Sequence, residues 1–262
     1  MSIKFGIIGG TGVYDPKILK DTREETLSTR FGTVQVKVGN YNGKEIAFLP
    51  RHGAQHSVPP HLINYRANIL AMKALGVQKL IATAAVGSLN PAMAPGDFVL
   101  VDQFMDFTKN RPLTFYEGGE QGVVHIDLTE PYCRELRGVL KKAAGATGLR
   151  VLAGGSYVCT EGPRFETPAE IRMYRILGGD LVGMTSVPEV VLAKEAEICY
   201  ATVAMVTNFA AGISPTRLSH QEVLDVMAEN AQNLQRLAMQ VIDWLDPGRP
   251  CPCRGGGPTP GL

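Results

Sequence analysis

The chain is expected to be α/β, a single domain with a central mixed β-sheet flanked by helices. Three observations predict this. β-branched apolar runs alternate with helical patterns along the sequence, the signal of a mixed or mainly parallel sheet covered by helices. At 262 residues, the chain suits one large domain better than two small ones, and 45 % hydrophobic content suffices for a substantial core. No internal repeat divides the sequence, and its composition shifts only after Asp246. Residues 1–246 are therefore expected to form the domain, and the Pro- and Gly-rich residues 247–262 a flexible tail.

Each element has its own signal. Residues 3–8 read as a first strand running into Gly9-Gly10-Thr11-Gly12, and residues 34–38 and 45–49 read as a hairpin around Asn42-Gly43. Apolar residues at helical spacing over 62–75 stop at Gly76, a C-terminal cap. Strands are predicted over 80–84, 98–101, 151–159, 180–184 and 200–206. Helices are predicted over 131–144, 168–177 and 187–196. Over residues 219–245, Ser219 with Glu222 suggests a capping box, and Val223, Met227, Leu234, Leu237 and Val241 form one stripe.

Composition excludes several classes. With 26 Lys+Arg against 25 Asp+Glu there is no basic excess for nucleic acid and no acidic tail. The first residues lack the cationic and apolar regions of a signal peptide, and no apolar run reaches membrane-spanning length. A cytoplasmic protein with neither nucleic-acid nor membrane partners is expected. Of the five cysteines, Cys133, Cys159 and Cys199 read as separate buried thiols. Cys251-Pro252-Cys253 is open between a redox pair, half of a metal site and exposed tail thiols. It lacks a second Cys or His pair nearby, so no metal is expected and exposed thiols are favoured.

Polar residues at the ends of apolar runs suggest a ligand site. Gly10-x-Gly12 is followed by Asp15 where a dinucleotide fingerprint needs Gly, which leaves either a tight turn or a one-phosphate loop using Thr11. Arg51-His52-Gly53 follows a strand directly, where α/β sheets collect ligands, and Arg with His suits a doubly charged oxyanion. His56 and His61 lie close by, but the spacing on a Pro-rich loop matches no closed zinc site. The small run Thr83-Ala84-Ala85-Val86-Gly87-Ser88 lets backbone amides approach a ligand, or simply packs as a turn. Phe165 and Glu166 precede a helix that Thr167-Pro168 would open, while Met184-Thr185 and Asn208 end apolar strands. An aromatic, a carboxylate, a hydroxyl and a carboxamide are what a planar heterocycle with an N–H donor and a carbonyl would need.

These motifs resemble the methylthioadenosine phosphorylases and their purine nucleoside phosphorylase relatives, from Gly6 to about Leu245. The resemblance rests on Gly10-Thr11-Gly12, Arg51-His52-Gly53 with His56, Asn64-Tyr65-x-Ala67-Asn68, Pro95-Gly96-Asp97, Glu161-Gly162-Pro163-Arg164-Phe165, and Val187-Pro188-Glu189 running on to Glu195. It implies a nucleoside phosphorylase-like fold. It also implies phosphate binding by Thr11, Arg51, His52, Ala84, Ala85 and Thr185, with Met184 under the ribose and Phe165 on the base. Glu166 and Asn208 would read the base edge, beside Phe209 and Ala210. His125 matches a histidine near the nucleoside 5′ end, often supplied by a neighbouring subunit of a trimer or a dimer of trimers. No cofactor is implied, since inorganic phosphate is a co-substrate.

One departure sets the expected specificity. The 6-aminopurine members carry Asp in place of Asn208, a second Asp where this chain has Ala210, and a small hydroxyl residue in place of Glu166. Hypoxanthine and guanine offer N1–H to a carboxylate and O6 to an amide N–H, whereas adenine offers the reverse. The expectation is a 6-oxopurine enzyme in which Asn208, Glu166 and His52 carry the chemistry. A methylthioinosine phosphorylase is the runner-up, then a methylthioadenosine phosphorylase. A hydrolytic nucleosidase, a nucleoside sensor and a dinucleotide oxidoreductase fit less well.

Overall fold

In the computed structural model, residues 3–9, 18–53, 57–214, 217–246 and 248–254 are described. Among them the sheet runs β2 (Lys20–Thr29), β3 (Gly32–Tyr41), β4 (Lys44–Pro50), β1 (Phe5–Gly9), β5 (Lys79–Ser88), β10 (Leu181–Gly183), β9 (Ser156–Thr160) and β7 (Gln103–Phe107). From β5 a second branch leads through β11 (Cys199–Phe209) and β6 (Phe98–Leu100) to β8 (Val151–Ala153). Pairing is mixed, as expected. β5 is parallel to β1 and β11 but antiparallel to β10.

The long strands β5 and β11 form the spine because their residues are almost all apolar or small and buried on both faces. Helices α1 (Tyr65–Ala74) and α4 (Ser186–Glu195) join one core, and α2 (Arg134–Thr147) and α5 (His220–Trp244) the other. A smaller cluster packs around α3 (Pro168–Ile176). The expected α5 stripe is buried at Met227, Leu234, Leu237 and Val241. Each such side chain contributes about 1.5–3 kcal/mol by leaving water. Val223 is only half-buried, because it faces a cavity.

Several expectations need correction. The run 151–159 is two strands, β8 and β9, broken where Gly154 takes φ +99° with Asp102 packed beside it. β2 and β7 were not expected. β2 is an edge strand whose polar residues face solvent, so no apolar alternation marks it. A complete capping box forms at Thr167/Glu170 on α3, whereas Ser219 accepts from the Glu222 N–H without the reciprocal bond. In the expected tail, Cys251 is buried against the α2–α5 core and is no exposed thiol. Pro247 and residues 255–262 lie outside the described residues. No described helix is long and apolar enough to cross a membrane.

Candidate active site

A cavity of about 600 Å³ opens at the carboxyl ends of β4, β5, β10 and β11. This is where a twisted α/β sheet leaves room for a ligand. Of the residues expected at the site, Arg51, His52, Ala84, Ala85, Phe165, Glu166, Met184, Thr185, Asn208 and Ala210 all line it. Phe209 does not; its carbonyl instead receives the Asn208 amide. His125 is exposed and does not line the pocket of its own chain. Thr11 and His56 lie outside the described residues.

At one end of the cavity the groups suit an anion. Arg51 is 3 % exposed, and its Nε and Nη2 donate to the two carboxylate oxygens of Glu189 at 2.5 and 2.8 Å. Its Nη1 donates to the Thr83 carbonyl at 2.7 Å. Tyr200 completes the pairing by donating to Glu189 Oε2 at 2.8 Å. Arg51 is therefore fixed before any ligand arrives, at the cost of sharing its charge with Glu189. His52 Nδ1 lies 2.8 Å from the Val58 carbonyl, which only accepts, so that nitrogen carries the proton.

Two hydroxyls complete this end. Thr185 stands at the N-cap of α4 but makes no side-chain cap to its own helix, and its N–H donates to Tyr157 Oη. Thr83 Oγ1 is buried with no hydrogen-bond partner among the described residues. An unpaired buried hydroxyl is costly, which makes an oxygen-rich ligand its natural complement.

The pair expected to read a base, Asn208 and Glu166, lines the same cavity. Asn208 is 4 % exposed, its Oδ1 accepting from the Thr207 hydroxyl at 2.8 Å and its Nδ2 donating to the Phe209 carbonyl at 2.9 Å. The Phe209 carbonyl can only accept, so the amide has one orientation, with a second N–H left on Nδ2. Glu166 Oε1 accepts from Thr160 at 2.7 Å. Burial raises the Glu166 pKa above its ordinary value, and the Thr160 bond opposes this. Phe165 remains 39 % exposed, an aromatic face at the rim.

Arg111, which sequence reasoning missed, ties the walls together. Its guanidinium donates to the carbonyls of Thr160, Glu161, Met184 and Val187 and to the Tyr65 hydroxyl. The ends of β9, β10 and α4 thus share one cation. Gly183 is required beside it, because a Cβ there would sit 2.1 Å from Tyr157 Oη. Glu189 was also missed as a site residue, although an acidic residue amid the apolar run at the start of α4 was a readable signal. Arg111 left no comparable trace, since its partners are all backbone or distant in sequence.

The likeness to known proteins runs over nearly the whole chain. Residues 4–243 match the model of the Phosphorylase superfamily. The chain is 60 % identical over 251 residues to the probable 6-oxopurine nucleoside phosphorylase of Moorella thermoacetica, covering 96 % of each chain. It is 54 % identical to the 6-oxopurine nucleoside phosphorylase of Pyrococcus furiosus, again covering 96 % of each. A solved structure of methylthioadenosine phosphorylase from Schistosoma mansoni with adenine superposes with a TM-score of 0.88 at 35 % identity, covering 92 % of this chain and 91 % of that one. With this match over nearly its whole length, the chain belongs to the Phosphorylase superfamily, among its nucleoside phosphorylases.

Proposed function

We propose that the chain catalyses reversible phosphorolysis of 6-oxopurine nucleosides such as inosine and guanosine, giving free base and ribose 1-phosphate in cytoplasmic purine salvage. The observation that carries this reading is the fixed Asn208 amide on the same cavity as Glu166. An N–H at O6 or N7 and a carboxylate at N1–H match hypoxanthine and guanine and mismatch adenine. The names of the bacterial and archaeal relatives support it.

Phosphate held by Arg51, His52, Thr83 and Thr185 would approach C1′ opposite the base. Its negative charge would stabilise the oxocarbenium-like sugar, and the departing purine would leave its electrons toward Asn208 and Glu166. No cofactor takes part in these steps. The remaining wall is α5, where Val223, Leu224 and Met227 are apolar and His220 is the polar exception. An imidazole matches a 5′-hydroxyl better than a 5′-thioether, so inosine is favoured over methylthioinosine. His125 would reach the site from a neighbouring subunit of a trimer or a dimer of trimers.

The test is base release from inosine, guanosine, methylthioinosine, adenosine and methylthioadenosine, each with and without phosphate. Phosphate-dependent cleavage of inosine and guanosine above all others is expected. Preference for methylthioadenosine would overturn the base assignment, and cleavage without phosphate would make the enzyme a hydrolase.

A further inference from the structure

The fold supplies what the sequence lacked around Cys251-Pro252-Cys253, a second pair of thiols. Cys133 comes from the N-cap of α2 and Cys199 from the first residue of β11, and the sulfurs of Cys133, Cys199, Cys251 and Cys253 all lie within 4.8 Å of one another. We propose that these four cysteines form a tetrathiolate zinc site that pins the C-terminal segment to α2 and β11.

The geometry favours one ion held by all four sulfurs. Sulfurs placed about 2.3 Å from a central zinc sit about 3.8 Å apart at the corners of a tetrahedron. Here Cys133–Cys251, Cys199–Cys253 and Cys251–Cys253 are separated by 3.5, 3.2 and 3.1 Å, and no pair exceeds 4.8 Å. Zinc needs only a slight expansion of the cluster. Each ligating thiol would release its proton to solvent on binding.

The surroundings also suit thiolates. The Leu136 N–H donates to Cys133 Sγ at 3.4 Å, and Cys133 stands at the positive end of the 14-residue helix α2. Arg254 follows Cys253 directly, and the buried Lys79 is the β5 register partner of Cys199. Cys253 is partly exposed and gives the ion a way in.

This site is separate from the chemistry. Cys199 and Asn208 stand at opposite ends of β11, roughly 30 Å apart at the usual rise per residue. Zinc would hold the chain beyond α5, whose other end lines the cavity at His220, Val223 and Leu224.

The experiment is zinc analysis of the full-length protein purified after growth with added zinc, in parallel with Cys251→Ser/Cys253→Ser. About one zinc per chain is expected in the wild type and none in the variant. Cobalt(II) added to the metal-free wild type should give the intense thiolate-to-metal absorption of a tetrahedral sulfur site, absent in the variant. The variant should retain nucleoside cleavage and unfold at a lower temperature. Wild-type protein without metal, lighter by the hydrogens of two disulfides and showing no cobalt absorption, would overturn the proposal.

Discussion

The two ends of β11 do opposite work. At its carboxyl end Thr207 and Asn208 place a directed amide on a ligand cavity, while at its amino end Cys199 joins thiols from α2 and the C-terminal segment in a buried cluster. One end keeps hydrogen-bonding capacity for a ligand, and the other uses its side chain to hold the chain to itself. The same contrast recurs inside the cavity. Arg51, at the proposed anion end, is locked by Glu189 and Thr83, whereas Phe165, at the proposed base end, still shows a face to solvent. Rigid charge at one end and an aromatic rim at the other suit a small anion and a planar base respectively.

Breaking the base end should have the largest effect. Glu166→Ser with Asn208→Asp reverses the donors and acceptors offered to the purine, and sites with unmatched polar groups discriminate by up to about 10⁴. The ratio of kcat/KM for inosine over adenosine should fall by orders of magnitude; an unchanged ratio would show that other residues read the base. Next comes the lock on Arg51. Glu189→Gln leaves a buried guanidinium without its carboxylate, which costs about 3–5 kcal/mol of stability, read by urea unfolding.

The smallest change sharpens the anion end. Thr83→Val removes a hydroxyl that has no partner among the described residues, while keeping the side chain's shape. A hydrogen bond to a charged group contributes about 1.5–3 kcal/mol, so the phosphate KM should rise about tenfold or more while unfolding stability holds. An unchanged phosphate KM would place the anion elsewhere in the cavity.

The sequence made these two ends unequally legible. Glu166 and Asn208 stand out because polar residues interrupt apolar runs, and a strand end on an α/β sheet is where a ligand collects. The Asn42-Gly43 hairpin and the Gly76 cap were readable for the same local reason, since Gly43 and Gly76 take φ +79° and +89°. The thiol cluster was not, because its members lie at 133, 199, 251 and 253 and only the fold brings them together. Arg111 stayed hidden because its partners are mostly backbone carbonyls. β2 was missed because an exposed edge strand of alternating charge carries no apolar rhythm.

The central claim is that an ionised Glu166 and a directed Asn208 amide recognise a 6-oxopurine. Calorimetric titration of hypoxanthine and adenine into the protein, repeated as the pH is lowered, tests it most directly. Burial holds the Glu166 pKa above the ordinary carboxylate value, so acidification protonates it earlier than a solvated glutamate. Hypoxanthine should bind more tightly than adenine at neutral pH. Its advantage should shrink as the pH falls through that raised pKa, because a protonated carboxyl loses the charge that strengthens its bond from N1–H and can instead donate to adenine N1. Tighter adenine binding at neutral pH, or a hypoxanthine preference that ignores pH and survives Glu166→Gln, would contradict the account.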